Sequence, residues 1–445
     1  MGFSTDNALT RLAHRLDVAR AMAPLVRISG KVAAATPAGF ELRGLSGELK
    51  LGALVEIENG GQPILAEVIR LSRERAVVKP IGGEVAVALG SAAHAAGDMT
   101  LCPHESWKGR LVNALGQPAD GGPALTLGDH PVQLRAASPE AMRRAAVTKP
   151  VATGVRAIDV FTPLCLGQRI GVFAGSGVGK STMLSMMARA QGFDAIVVAL
   201  VGERGREVRE FVEHTLGEFA KRAVIVVSTG DESPMMRRLA PLTAMAIAEF
   251  FRDSGDNVLL IMDSVTRYAH ACRDVALAAG EPPIARGFPP SVFSELPQLL
   301  ERAGPGLAGS GTITGIFAVL VDGDDHNDPV ADAIRGTLDG HIVLDRAIAE
   351  SGRYPAVDVL KSISRLAQRA WSPEQRNAVS EMKKMVARFE DSRDLRAIGG
   401  YQQGADPELD RAVALVPKLY RSLTQSLESP PARDPFRDIA EALAK

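Results

Sequence analysis

The stretch Phe173-Ala174-Gly175-Ser176-Gly177-Val178-Gly179-Lys180-Ser181-Thr182 constrains this chain more than any other. It lies between Arg169 to Phe173, which reads as a strand, and Thr182 to Ala190, which reads as a helix. A glycine-rich turn in that context is a phosphate-binding loop. Glycines let the backbone curl until successive N–H groups face a β-phosphate, a lysine brings mobile positive charge to the β and γ oxygens, and a hydroxyl ligates Mg²⁺. Lys180 and Ser181 hold those last two posts, and Gly175, Ser176, Gly177, Val178, Gly179 and Thr182 complete the cradle. The pattern G-x-x-x-x-G-K-[ST] is met except at its first position, where Ala174 stands for glycine. Alanine at the end of a strand fits there provided its φ is negative.

At 445 residues the chain exceeds one core and is expected to form about three domains, at roughly 150 residues each. A net charge of −1, with the charged residues spread along the chain, offers no global pull toward nucleic acid or an anionic membrane. Cys102, Cys165 and Cys272 are far apart with no C-x-x-C pair, so reduced, isolated thiols are expected. No signal-peptide core is present, and no apolar run approaches the roughly 18 residues of a membrane span. A soluble intracellular protein is expected.

Residues 1–24 predict an amphipathic helix, with Leu9, Leu12, Leu16 and Ala19 at helical spacing and Pro24 as a stop. It packs on its own body or serves as a docking handle for a partner helix or a membrane surface. Residues 25–97 turn to short β-prone pieces broken by glycine, such as Ala53-Leu54-Val55-Glu56-Ile57, and predict a small β-barrel or sandwich with an assembly role. Gly109 to Pro123 reads as a turn-rich connector. Within residues 98–358, apolar runs at Ile170 to Phe173, Ala195 to Val201, Ala223 to Val227, Val258 to Met262 and Ile313 to Val321 alternate with helix-length segments. That rhythm predicts a central α/β nucleotide-binding domain with a mostly parallel sheet, whose ligands collect at the carboxyl ends of the strands. Residues 359–445 predict a C-terminal α-helical domain, with helices over Ser372 to Phe389 and Asp410 to Leu427.

Asn257 to Asp263 is a buried strand ending in a carboxylate, as a second magnesium-site acid requires. Gly202-Glu203-Arg204-Gly205-Arg206-Glu207 follows another apolar strand. A carboxylate there can orient and polarise the attacking water while an arginine faces phosphate charge. The residues alone leave Glu203, Glu207 and Glu210 open for that part. Asp322, Asp324, Asp325 and Asp328 form an acidic loop without EF-hand spacing, and His14 and His270 lack metal-ligand spacing, so none is assigned a metal.

Tyr354 to Arg365 matches the signature P-[SAP]-[LIV]-[DNH]-x-x-x-S-x-S of the F-type, V-type and secretion ATPase family. With Gly202-Glu203-Arg204, Asp263-Ser264-Val265-Thr266-Arg267 and Leu338-Asp339-Gly340-His341-Ile342, the chain resembles that family from about residue 25 to 400. It looks most like the ATPases of flagellar type III export, through Ala157-Ile158-Asp159, the phosphate loop, Gly202 to Phe211 and Gly280-Glu281-Pro282-Pro283.

The resemblance implies a RecA-like P-loop NTPase that hydrolyses ATP with Mg²⁺. It implies Glu203 as the carboxylate activating water, Arg204 as its charged neighbour, Asp263 in the magnesium shell, and Arg267 as a supporting active-site residue. Tyr354 would pack on the adenine, and Arg365 would be an arginine finger reaching a neighbouring copy, which demands a ring, hexameric in relatives. Implied partners are a stator or regulator at the N-terminal helix, export-gate membrane proteins, export substrates and their chaperones, with no nucleic acid expected. The implied place is the cytoplasm, peripheral to an inner-membrane export apparatus.

Four readings compete with flagellar export. An injectisome ATPase shares nearly all the motifs. A catalytic β-like subunit of a rotary synthase continues differently after Gly-Glu-Arg than Gly205-Arg206-Glu207-Val208-Arg209. A non-catalytic ring subunit would carry glutamine where Glu203 stands. A ring-shaped RNA translocase would need base-stacking aromatics in the barrel, where only Phe40 is found.

Overall fold

The computed structural model describes residues 12–13, 15–16, 28–83, 85–321 and 328–444. The chain forms two compact units, residues 1–99 and 100–445. Apart from Leu12, Ala13, Arg15 and Leu16, the helix expected over residues 1–24 lies outside the described residues, as do Asp322, Asp324, Asp325 and His14.

The first unit is a closed barrel of β1 (Ser29–Thr36), β2 (Gly39–Arg43), β3 (Leu54–Ile57), β4 (Ile64–Leu71), β5 (Arg75–Pro80) and β6 (Ala92–Gly97), in the order β1-β2-β5-β4-β3-β6. Apolar residues two apart point inward, Ala76 and Val78 on β5 and Val55 and Ile57 on β3 being buried. Closure leaves no unpaired edge to recruit foreign strands.

The second unit is built on a nine-stranded sheet. Its strands are β7 (Leu111–Asn113), β8 (Arg169–Ala174), β9 (Ala195–Glu203), β10 (Ala223–Thr229), β11 (Asn257–Asp263), β12 (Gly304–Pro305), β13 (Thr312–Leu320), β14 (Gly340–Leu344) and β15 (Ile363–Ser364). The order is β15-β14-β8-β13-β11-β9-β10-β7, with β12 paired to β13. All neighbours are parallel except β12 on β13 and β15 on β14. The central strands are buried along nearly their whole length, as strands of a parallel sheet covered on both faces are. Parallel register brings Ala174 beside Leu320 and Leu344, and Leu200 beside Asp263, so the carboxyl ends of five strands converge.

Two elements differ from expectation. The connector after Gly109 contributes the edge strand β7, parallel to β10 and seated by Gly109 N–H on the Ala223 carbonyl at 2.8 Å. The second C-terminal helix runs over Pro407–Leu423, not Asp410 to Leu427, since the Asp406 carboxylate caps the N–H groups of Glu408 and Leu409 with proline next in line. It stops at Leu423 because Thr424 is extended and Gln425 turns into the core, where it is 3% exposed.

Helices α1 (Lys180–Ala188), α2 (Pro234–Asp253) and α3 (Val265–Ala278) follow β8, β10 and β11. The chain ends with α4 (Pro373–Asp391), α5 (Pro407–Leu423) and α6 (Pro435–Ala444). Val379, Met382 and Val386 on α4, and Leu409, Ala412, Val416, Leu419 and Leu423 on α5, are the helical stripes these segments bury. Most of these side chains join the same apolar cluster as Val172, Val198 and Ile261 of the sheet, so the closing helices share its core.

Candidate functional site

The site begins where β8 ends. Ala174 is 1% exposed at the last position of the strand, and its backbone is not among the positive-φ residues, as the loop pattern required. Gly177 and Gly179 both take left-handed backbone, at φ 79° and 92°, which turns the chain through the loop before Lys180 opens α1. Val178 is buried as the loop's anchor, while Ser176, Gly177, Ser181 and Thr182 are exposed along the cradle's rim. The Ser176 carbonyl accepts from Arg346 Nη2 at 3.3 Å, tying the loop to the segment after β14.

Four charged side chains meet at the mouth. Lys180 Nζ bonds Asp263 Oδ1 and stands 3.7 Å from Glu203 Oε1. Arg267 Nη1 lies 2.7 Å from the same Glu203 oxygen. Lys180 follows β8, Glu203 ends β9, and Asp263 and Arg267 lie at the end of β11 and in the first turn after it, so the parallel register of β8, β9 and β11 assembles the group. Gly202 lets Arg267 in: β9 shifts register between Val201 and Glu203, Gly202 has φ 69°, and a Cβ there would lie 2.8 Å from Arg267 Cδ. Ser264 caps α3 by accepting from the Arg267 N–H at 3.3 Å, which fixes the arginine's backbone.

Burial pushes the Glu203 carboxyl up to about 7, with a hydrogen bond to Glu207 and the charge of Asp263 adding to the rise, while Lys180 and Arg267 oppose it. Glu207, which accepts that bond, is held below its ordinary value. The distinction left open among the three glutamates is therefore geometric. Glu203 is 8% exposed beside Lys180 and Asp263, Glu207 backs it from outside the pair, and Glu210 faces solvent beside Arg206 at 3.6 Å. A half-protonated carboxyl next to a lysine in a phosphate loop is equipped to hold and orient a water beside the phosphate to be attacked.

The match to known families falls on this cluster. The model of the ATP synthase alpha/beta family nucleotide-binding domain fits residues 154–364, and that of the T3SS EscN ATPase C-terminal domain fits residues 371–445. A flagellum-specific ATP synthase of Rhizobium meliloti (strain 1021) is 56% identical over 93% of this chain and 89% of its own length. The chain belongs to the ATP synthase alpha/beta family. Within it, the assembled type III secretion ATPase EscN of enteropathogenic E. coli superposes at a TM-score of 0.87 and 39% identity, covering 93% of this chain and all of that one. EscN in complex with its central stalk EscO superposes at 0.83 and 37% identity over the same shares.

Of the remaining residues that the family resemblance singled out, Tyr354 is brought to the loop: a Cβ on Gly179 would lie 3.4 Å from its ring. Arg204 is not in the cluster; its side chain is 81% exposed and pairs with Glu207 at 3.7 Å. Arg365 follows β15 at the sheet edge, beside the amino end of β14, whereas the loop follows the carboxyl end of β8. Five residues of parallel strand separate the two ends of β14, roughly 17 Å, so Arg365 does not meet its own chain's Lys180.

Gln425 is a participant that sequence reading passed over. Its N–H donates to the Tyr354 carbonyl at 2.8 Å, its amide donates to the Gly154 carbonyl at 3.1 Å, and its amide oxygen accepts from Arg156 N–H at 2.7 Å. A lone glutamine past a helix end carries no local signal, so only the tertiary contact reveals it. Asp159 is a supporting residue, accepting from the Thr153 N–H and hydroxyl and the Gly154 N–H, with burial pushing its carboxyl up to about 6.

Proposed function

We propose that this chain is the ATP-hydrolysing subunit of a homo-oligomeric ring, hexameric in form, that energises export of flagellar proteins through a type III secretion apparatus. The observation that carries the hydrolytic part is Glu203 itself: a buried carboxyl, poised near neutrality, 3.7 Å from the ammonium of a phosphate loop. Lys180 and the loop N–H groups hold the β and γ phosphates. Glu203 positions the attacking water and accepts its proton, and Arg267 holds Glu203 at the strand end. Tyr354 provides a face for the adenine, and Arg204 adds positive charge at the rim. Arg365, remote from its own chain's loop, is the finger for a neighbouring copy, where a trans arginine is worth roughly 10³ to 10⁵ in rate.

Ser181 and Asp263 would hold Mg²⁺. Their hydroxyl and carboxylate are hard oxygen donors, and among the described residues no group of three or more His, Cys, Asp or Glu could cage an ion. That fits a magnesium ion carried in largely by phosphates, which it would neutralise during transfer.

Identity of 56% with a flagellum-specific relative, against 39% with EscN, favours flagellar export over the injectisome. Since EscN is found assembled and with a central stalk, a comparable stalk partner follows, beside the regulator at residues 1–24, the export gate, substrates and chaperones. Attachment to the inner-membrane apparatus would be peripheral and from the cytoplasm, as in the export ATPases this chain resembles; among the described residues no helix is long and apolar enough to cross a membrane.

Glu203→Gln tests the proposal. It keeps shape and removes the base, so ATP binding should persist while hydrolysis falls by at least about 10²-fold. Turnover at the wild-type rate would remove Glu203 from the mechanism.

A further inference from the structure

We infer that Asp339, with Arg169 and Gln168, is the positioning device for Arg365, fixing its backbone on the sheet edge while leaving its guanidinium free for a neighbouring copy. The inference rests on the in-trans role proposed above for Arg365.

The contacts converge on two residues. Arg365 N–H donates to the Asp339 carbonyl at 2.9 Å. Ser364, just before it, pairs with Gly340, and its hydroxyl accepts from Gln168 Nε2 at 3.0 Å. The same amide reaches the Asp339 carbonyl at 3.3 Å. Gln168 is wholly buried, and its amide oxygen accepts from Cys165 N–H at 2.9 Å, which sets the direction in which the amide points. Gly340 admits the close crossing, since a Cβ there would lie 2.4 Å from the Ile363 carbonyl oxygen.

Asp339 is held in turn by the first residue of β8. Its carboxylate accepts from Arg169 N–H, Nε and Nη2 at 3.0, 3.1 and 3.2 Å, and its own N–H donates to the Arg169 carbonyl at 2.9 Å. Arg169 Nη1 pairs with Glu301 at 2.5 Å. A forked guanidinium on a carboxylate fixes direction as well as distance. The six-residue strand that ends in the phosphate loop therefore begins with the clamp on Arg365.

A purely structural role would draw the Arg365 guanidinium into this network. Instead the network ends at the backbone: the side chain is exposed and, among the described residues, has no carboxylate within ion-pair distance. A fixed base with a free tip is what a residue reaching across an interface needs, because displacement by about 1 Å costs on the order of 10²-fold in rate.

Asp339→Asn weakens the fork. Turnover per site should fall about 10- to 100-fold, with KM for ATP and binding of a fluorescent ATP analogue within about twofold of wild type. Rings mixed from Asp339→Asn and Lys180→Ala chains should regain turnover, because the second chain has a dead loop but an intact Arg365. Rings mixed from Asp339→Asn and Arg365→Ala chains should not. The control is Arg365→Ala mixed with Lys180→Ala. If that control recovers and the Asp339→Asn mixture does not, Asp339 acts within its own site and the inference is overturned. If the control itself shows no recovery in well-formed rings, the in-trans reading fails and takes the inference with it. Ser364→Ala, which deletes one hydroxyl, should give the same pattern at smaller size and serves if Asp339→Asn rings do not assemble.

Discussion

Glu203 keeps its proton to about pH 7 chiefly because it is buried, and Lys180 and Arg267 restrain the rise. The base form appears as pH rises through that value, so kcat/KM for ATP should climb through an acid limb centred near 7. Arg267→Ala removes one of the two restraints; the limb should move to higher pH and turnover at neutrality should drop. Profiles of both proteins between about pH 6 and 8 decide it, and superimposable limbs would show that Arg267 does not act on Glu203. The sign for stability is opposite. A carboxyl that holds its proton more tightly when folded contributes stability fully below its unfolded value, about 4.3, and loses that contribution as pH rises through about 7. Gly202 makes a separate demand. With φ 69° and Arg267 Cδ 2.8 Å from a would-be Cβ, Gly202→Ala should cost about 1–2 kcal/mol by thermal unfolding and lower turnover by displacing Arg267. A variant of wild-type stability and activity would show that β9 relaxes there freely.

Among the elements, those with strong period or apolar runs were legible as sequence. β8, β9, β10, β11 and β13 stand within a residue or two of the apolar runs, since strands buried on both faces advertise themselves. The helix α4 does so through Ser372, which accepts from Gln375 N–H at 3.2 Å while Gln375 Oε1 takes the Ser372 N–H at 2.9 Å. That reciprocal cap should be worth about 1 kcal/mol, so Ser372→Ala should lower the midpoint of urea unfolding with turnover retained. An unchanged midpoint would mean that packing of Val379, Met382 and Val386 holds the helix end without it. The strand β7 was illegible, because Leu111–Asn113 is three residues long and is made a strand only by β10 beside it.

The whole molecule has two compact units, a closed barrel and a second unit whose sheet carries the phosphate loop and the strand-end residues discussed above. The N-terminal segment is proposed as a handle for a regulator, so deleting residues 2–20 should leave turnover and folding intact while weakening capture of that partner in pull-down. Undiminished capture would reduce the segment to a packing role. The amino-acid order alone determined the chemistry on offer, because a phosphate loop, an acid-ended strand and the glycine before Glu203 are local patterns with local physical causes. It determined the β, α/β and α succession for the same reason, since each class has its own spacing of apolar residues. Tertiary structure alone decided which glutamate faces Lys180, and that Arg204 turns to solvent. It also decided that Gln425 reaches back to Tyr354, and that Arg365 is clamped by Asp339 away from its own loop. Those facts depend on register between strands and on contacts between residues up to hundreds of positions apart, which no local pattern encodes.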